Sequence, residues 1–265
     1  MKNILVPVGS SKNAQSHLQY AVDFAKAVGA KLYVVQVYNV YTKAGTMIKV
    51  DHIIERESKA FLDHHVAQID HKGVEVITKT FKGKLVRTLD LVCKNFDIEL
   101  IILEPRTNSI KDEVYLGKTS GKIIKQTQIP ALIVPEGYVF KPINTILLAL
   151  KSAIIKRKNA LKPLNAIKDI FKAQISLLLV KTPFYNANDF NVSSALENMV
   201  STTIKSENPT TYQGVLEHHK LISPDLLCVV RRKRGFFSKL WEKNVVLKKE
   251  FHITSFPVLV LSGLK

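Results

Sequence analysis

Residues 116–124, LGKTSGKII, are the stretch of this sequence whose residue types come nearest to a phosphate-binding chemistry. The pattern G-x-x-x-x-G-K-[ST] cradles phosphates with backbone N–H groups, and its Lys adds positive charge. Counting back from Gly117, the first glycine of that pattern falls at position 112, where the sequence has Asp112. A carboxylate at the mouth of a phosphate cradle has the wrong charge. The stretch is therefore not this loop.

The other reactive side chains form no pattern typical of a metal or catalytic site. Cys93 and Cys228 have no CxxC partner, and we interpret both as small core residues. The eight His residues include His17, on a predicted helix, and adjacent pairs at 64–65 and 218–219, whose members do not share a helix face. No Ser/His/Asp or Cys/His arrangement can be assembled. The sequence predicts no metal site, no catalytic site and a protein that is not an enzyme.

The elements that must position any site alternate between apolar strands and amphipathic helices. In the first half, Gly29 and Gly73 each end a stretch with helical periodicity. The predicted strands of this half are ILVPV, KLYVVQVYN, VEVITKTF, IELIIL and ALIV. Near-continuous apolar strands separated by helices indicate a parallel sheet covered on both faces. Ligands of such sheets bind at the carboxyl ends of strands, which directs attention to the loops after the first and fourth strands.

The second half repeats the first in the same order. The matched pairs are MKNILVPVGS with INTILLALKS, FDIELIILEPR with SPDLLCVVRRKR, and QIPALIVPE with SFPVLVLSG. A repeat of this kind indicates two copies of one fold in place of a single larger one. We predict two tandem α/β domains, residues 1–140 and residues 141–265, each a doubly wound parallel sheet of five strands.

Each half resembles a universal stress protein domain, and the whole chain resembles a tandem member of that family. The resemblance is carried by ILVPVGSS, AVDFAKAVGAKLYVVQV, IELIILEPR, LGKTSGKIIKQTQIPALIVP and their second-half counterparts. It implies a Rossmann-like fold of the adenine nucleotide alpha hydrolase type, and pairing of domains, commonly through the last strand. Some members of the family bind ATP and others do not. The binders have an Asp just after strand 1 and, after strand 4, G-x-x-G followed nine residues later by G-[ST].

In the first copy this nucleotide pattern is eroded. Gly9 stands at the Asp position, Glu104 and Thr107 stand at the first two glycine positions, and only Gly117 matches. The helix that begins there would still favour an anion through its N–H groups and dipole, whereas the alternative interpretation is a helix cap with a solvated Lys. The residues that would line a retained cleft are Gly9, Ser10, Val37, Arg106, Gly117, Lys118, Thr119 and Ser120.

In the second copy none of the pattern survives. Lys151 stands at the Asp position, and Val230, Lys233 and Lys243 stand at the glycine positions. A β-branched side chain and two Lys cannot give a ligand the access to backbone that glycine gives. We therefore interpret the second domain as degenerate for nucleotide and specialised for structure or for contact with a partner.

The charge is strongly positive and unevenly distributed. The formal net charge is +17; residues 1–140 have 19 Lys and Arg against 14 Asp and Glu, and residues 141–265 have 20 against 8. Such a field favours anionic partners. Arg231, Arg232, Lys233 and Arg234 could hold a phosphate or an acidic partner, and the alternative interpretation of this segment is a solvated basic loop.

The function that these features favour is a binding and signalling protein of the stress response, without ATP turnover and without a cofactor. The alternative is a sensor that binds ATP or another adenine nucleotide in the first-copy cleft, and nucleic-acid association through the basic second half ranks below both. We expect self-association through paired domains, as a homodimer or an in-chain pseudo-dimer, together with an unidentified protein partner. No apolar run approaches the ~18–20 residues of a membrane span, and we expect a cytoplasmic protein.

Overall fold

The computed structural model describes residues 1–9, 11, 13–39, 50–104, 114–116, 118–155, 159–231, 246–247 and 256–262. The elements of the first half are β1 (Asn3–Pro7), α1 (Ala14–Val28), β2 (Lys31–Tyr38), α2 (Val50–Val66), β3 (Val76–Lys82), α3 (Leu85–Asn95), β4 (Leu100–Leu103), β5 (Val114–Leu116), α4 (Lys118–Gln126) and β6 (Ala131–Ile133). The elements of the second half are β7 (Thr145–Leu150), α5 (Lys162–Phe171), β8 (Gln174–Lys181), a 3-10 helix (Ala187–Phe190), α6 (Ser194–Glu197), β9 (Thr202–Glu207), α7 (Thr211–Ile222), β10 (Leu226–Arg231), β11 (Val246–Leu247) and β12 (Val258–Ser262).

Ten of these strands form one continuous sheet in the order β3-β2-β1-β4-β6-β12-β10-β7-β8-β9. The five strands of each half are parallel to one another, which confirms the predicted doubly wound fold. The two halves meet where β6 and β12 run antiparallel, with Leu132 opposite Leu259. The last strand of each half is thus paired inside the chain. The exact domain boundary at residues 140 and 141 stays a prediction.

Local chemistry explains where the first helix ends. Gly29 adopts the left-handed conformation, with φ 65°, and its N–H donates to the carbonyl oxygen of Lys26 at 3.2 Å. Ala30 then donates to the carbonyl oxygen of Ala25 at 2.9 Å. A glycine just past a helix satisfies carbonyls that would otherwise have no partner. The predicted helix stop at Gly29 is confirmed.

An acidic residue ahead of the fourth strand has the same role in both halves. In the second half, the Asp225 carboxylate accepts the backbone N–H of Asn144 at 2.9 Å and of Thr145 at 3.1 Å. In the first half, the Glu99 carboxylate accepts the backbone N–H of Lys2. Each carboxylate therefore holds the start of the first strand of its own half, and this explains the acid that precedes both apolar runs.

The apolar core lies on both faces of the sheet and is continuous between the halves. On one face, Phe24 of α1 lies 6.1 Å from Phe140 and 6.3 Å from Phe171 of α5, measured between ring centroids. Tyr20 lies 5.8 Å from Phe140 on the same face. Aromatic pairs at these distances add to the stability that area burial supplies. The connection between the halves is therefore itself part of the core.

Two features go beyond what the repeat predicts. Between β8 and β9 the second half has a 3-10 helix and the four-residue α6, whereas the first half has the 17-residue α2 between β2 and β3. In addition, β5 and β11 form a short antiparallel ribbon with Leu116 opposite Val246, which the sequence did not predict. Strands of two and three residues are too short to show a period of two.

None of the helices in the described part of the chain has the length and apolarity that crossing a membrane requires.

Candidate functional site

The predicted ligand cleft of the first half lies at the carboxyl ends of β1 and β4, where helix α4 begins. Strands β1 and β4 are direct neighbours in the sheet. Helix α4 begins at Lys118, and the hydroxyl of Ser120 donates to the carbonyl oxygen of Glu104 at 3.0 Å. Thr119 is exposed in the first turn of the helix. The start of α4 and the end of β4 therefore meet, as the sequence predicts.

Several predicted site residues lie outside the described part of the chain, and their roles stay predictions. They are Ser10, Arg106, Gly117, Arg232, Lys233 and Arg234.

Gly9 lies just after β1, where a side chain would have space. A Cβ atom built at this position has no neighbouring atom within 4 Å. The backbone N–H of Ser11 donates to the Gly9 carbonyl oxygen at 2.8 Å, which turns the chain here. Glycine at position 9 is therefore not required by crowding, and it supplies no carboxylate to the cleft.

Val37 lies near the end of β2 and is half-buried. It is paired with Phe81 of β3 and packs against the apolar core of its face of the sheet. This environment is that of an ordinary core residue of a strand, and a role of Val37 in binding a ligand stays a prediction. Val180, its counterpart in β8, is fully buried and touches the backbone region of Gly214 in α7.

Glu104 puts a carboxyl group at the end of β4, at the first glycine position of the nucleotide pattern. Burial raises the pKa of this carboxyl, the hydroxyl of Ser11 opposes that rise, and the nearby Glu136 charge adds to it. In its charged form this carboxyl group repels phosphate, and the Glu136 carboxylate nearby adds to the repulsion. The residues present at this strand end therefore do not fit the phosphates of a nucleotide.

Arg231 has a contact that the anion-site hypothesis did not foresee. Its guanidinium donates from Nη2 to the carbonyl oxygen of Thr127 at 2.7 Å and from Nη1 to the carbonyl oxygen of Ile124. Both carbonyls lie at the end of α4, where helix carbonyls need donors. Arg231 thus binds its own chain across the two halves, and its assignment to an anion site stays a prediction.

The corresponding cleft of the second half has a cation where the nucleotide pattern has a carboxylate. Lys151, at the Asp position, has its ammonium group 5.5 Å from the ring centroid of Phe184. Phe184 is 81% exposed, so this pair faces solvent at the ends of β7 and β8. Lys181 pairs with Glu207 at 3.2 Å on the neighbouring strands. No feature of this cleft in the described residues reproduces the nucleotide pattern.

A second cleft, which the sequence did not predict, shares Glu104 with the predicted one and lies between the first turn of α1 and the ends of β4 and β6. The residues that line it are Asn13, Ser16, His17, Glu104, Val134, Pro135, Glu136, Gly137 and Tyr138. The sequence signals only that His17 lies on a helix. Its neighbours across the cleft come from residues more than 80 positions away, and no local pattern could bring them together.

The described residues contain no group of three or more His, Cys, Asp or Glu arranged to hold a metal ion. Cys93 and Cys228 are free and buried, and burial raises the pKa of the Cys93 thiol to about 12 and also raises that of Cys228. Thiols of this kind behave as small apolar residues rather than as nucleophiles.

Comparisons with known proteins agree with this fold. The model of the Universal stress protein family matches residues 1–135. A universal stress protein from Archaeoglobus fulgidus DSM 4304 is similar with a TM-score of 0.69 and 17% sequence identity, over 98% of this chain and 96% of that chain. A functionally unknown protein from Pseudomonas aeruginosa PAO1 has a TM-score of 0.55 and 13% identity, over 98% of this chain and 92% of that chain. Among curated proteins, no sequence matches.

Proposed function

The chain belongs to the universal stress protein family, and on that premise we propose that it acts in the stress response as a binding and signalling protein that does not turn over ATP. The observation that carries this proposal is Glu104 at the end of β4, where ATP-binding members have glycine. Its partly buried carboxyl group repels phosphate, and the neighbouring Glu136 adds a second negative charge. Gly9 in addition supplies no carboxylate at the end of β1.

In-chain pairing is the second element of the proposal. The antiparallel contact of β6 with β12 occupies the last strand of both halves, so that edge has no place for a second copy of the chain. We propose that the tandem chain works as its own pseudo-dimer and that its partner is another protein. A cytoplasmic location belongs to the same proposal and is in keeping with two free, buried cysteines.

The test is to denature freshly purified protein and identify any released small molecule by mass spectrometry. We expect no adenine nucleotide, and we expect that added ATP with Mg²⁺ leaves the melting temperature unchanged. A nucleotide released in near-stoichiometric amount would contradict the proposal and would make the loop after β4 a working site.

A nucleotide sensor is the alternative, and the start of α4 supports it. The helix N-terminus beside the end of β4 offers N–H groups and a favourable dipole to an anion, and Thr119 is exposed there. If the chain retains a nucleotide, Gly117→Val and Lys118→Ala should abolish its retention. Lys122→Ala, an exposed position on the same helix, is the matched control and should have no effect.

Nucleic-acid association ranks below both, and only the charge of residues 141–265 supports it. A nucleic-acid complex held by those charges would weaken steeply as salt increases. We expect no salt-sensitive binding of a random single-stranded oligonucleotide in a fluorescence anisotropy titration.

A further inference from the structure

We propose that the cleft between α1, the end of β4 and the end of β6 binds the ammonium head group of a small amine. The cleft is defined by Asn13, Ser16, His17, Glu104, Val134, Pro135, Glu136, Gly137 and Tyr138. This goes beyond the proposed function and does not depend on it, because the groups that line the cleft suit a cation and not a phosphate.

A buried histidine supplies the first acceptor. His17 is only 8% exposed, and its Nε2 has no hydrogen-bond partner among the described residues. Burial keeps this ring neutral, and in a neutral imidazole one nitrogen carries the hydrogen while the other accepts. Nε2 can be the accepting nitrogen. A buried acceptor without a donor is costly, and native proteins rarely leave one unfilled.

Two carboxyl groups supply the remaining acceptors and the charge. Glu104 and Glu136 line the same cleft, in a chain whose formal net charge is +17. The side-chain amide of Asn13 donates to Oε1 of Glu136 and holds that carboxylate at the cleft. An ammonium group has three N–H donors and one positive charge. Its donors equal in number the imidazole and the two carboxyl groups that line the cleft.

The size of the cavity limits the ligand to a small head group. The free volume is about 10 Å³, which is close to the space that one water molecule occupies. An ammonium nitrogen with its hydrogens is similar in size to water. A quaternary ammonium, which is larger and has no N–H donor, should be excluded on both grounds.

The protonation states agree with this ligand class. Burial lowers the pKa of His17 to about 4, so the ring is neutral at pH 7 and Nε2 can accept. Burial raises the pKa of Glu104, and a bound cation would favour its charged form. Of the other titratable groups here, Tyr138 lies beside Lys141, and Lys141 pairs with Asp225 at 3.1 Å. That pairing reduces the repulsion that Lys141 would exert on a cation in the cleft.

The test is a calorimetric titration of the whole protein with ethylammonium chloride at constant ionic strength and pH 7. We expect saturable binding of ethylammonium and none of tetramethylammonium. Glu104→Gln and Glu136→Gln should each weaken binding by roughly tenfold or more, because each removes a charged acceptor. Glu57→Gln, an exposed position on α2, is the matched control and should bind as the unaltered protein does.

His17→Gln is the third variant, and circular dichroism shows whether it folds. If it does not fold, Glu136→Gln still tests the proposal, because Glu136 is exposed and its substitution should not affect folding. Equal binding of tetramethylammonium, absence of ethylammonium binding, or unchanged binding in both glutamine variants at 104 and 136 would overturn the proposal. Nα-acetyl-lysine amide is a further probe. If this probe binds ten times more tightly than ethylammonium, the ligand is a lysine side chain of a partner protein and not a small amine.

Discussion

Arg231 at the end of β10 donates a hydrogen bond of 2.7 Å to the carbonyl oxygen of Thr127, which follows helix α4 in the other half of the chain. The same guanidinium also donates to Ile124. The hydroxyl of Ser262, which is paired with Arg231 in the sheet, donates to the carbonyl oxygen of Gln128. The second half therefore caps the end of the helix that begins at the candidate ligand loop of the first half.

The first prediction concerns this contact. Arg231→Ala should lower the free energy of unfolding by about 2 kcal/mol, because it leaves partly buried carbonyls at the end of α4 without charged donors. Equilibrium unfolding in urea measures the change. Arg87→Ala, an exposed position on α3, is the control and should change stability by less than about 0.5 kcal/mol. Equal effects of the two substitutions would show that the Arg231 contact adds nothing to stability.

Hydrogen exchange shows which part of the chain Arg231→Ala destabilises. If Arg231 holds the end of α4, Arg231→Ala should increase amide exchange in residues 118–127 more than in α1 or α5. A uniform increase across the chain would instead indicate only a global loss of stability.

The sequence predicts those parts of this structure that depend on neighbouring residues. Near-continuous apolar runs identify the sheet strands, a period of 3.6 identifies the helices of the first half, and Gly29 identifies a helix end. The acids ahead of β4 and β10 reveal the repeat. Each of these signals lies within one element or at its boundary.

The parts that the sequence does not predict depend on residues far apart in the chain. The Arg231 contact joins positions more than 100 residues apart, and both residues look like ordinary members of their own segments. His17 and Glu104 meet in one cleft although they lie 87 positions apart. A hydrophobic pattern specifies which face of a helix or strand is buried, but it does not specify which polar group of another element that face will contact.

The second prediction concerns acid stability. The unfolded chain protonates His17 below its ordinary pKa of 6.5, whereas burial lowers the pKa of the folded state to about 4. Unfolding therefore takes up a proton between these values, so stability is lost as pH falls from about 6.5 to about 4. The contribution reaches about 3 kcal/mol at the lower end. Urea unfolding at several pH values measures it.

His17→Gln removes this titration, and the stability difference between it and the unaltered protein should change over the same pH window. His52→Gln, an exposed position on α2, is the control, and its difference should stay constant. A pH dependence that is the same in His17→Gln as in the unaltered protein would rule out His17 as its source. The raised pKa of Glu104 acts in the opposite direction at pH values above its ordinary pKa of 4.5, and it is common to both proteins.

The third prediction concerns the contact of α7 with β8. A Cβ atom at Gly214 would lie 2.7 Å from Cγ2 and 3.2 Å from Cγ1 of Val180, whose side chain is fully buried. Gly214→Ala should therefore lower the free energy of unfolding by about 1 kcal/mol, since overpacking outweighs the gain in helix propensity. Adding Val180→Ala should reduce the cost of Gly214→Ala in a double-mutant cycle. A stabilised Gly214→Ala variant would mean that the helix moves away freely.

The fourth prediction concerns the pairing of the two halves. In the whole chain β6 pairs with β12, and Leu132 and Leu259 are both fully buried. A fragment of residues 1–140 would expose the β6 edge and the aromatic surface around Phe24 and Phe140. An exposed apolar edge is a template for pairing with another chain. We expect this fragment to dimerise through β6 in an antiparallel arrangement that reproduces the in-chain contact.

Light scattering after size-exclusion chromatography distinguishes the outcomes, with the whole chain as the control. The whole chain should be a monomer, because both last strands are already paired, and the fragment should have twice its own mass. A folded monomeric fragment would show that β6 does not need a partner and would argue against pairing as the organising contact. A fragment that fails to fold would indicate that folding depends more on the aromatic core shared by the two halves than on strand pairing. The fragment lacks Phe171, which packs against Phe24 of α1. In either of these two cases the prediction of an independent first domain that ends at residue 140 would have to be revised.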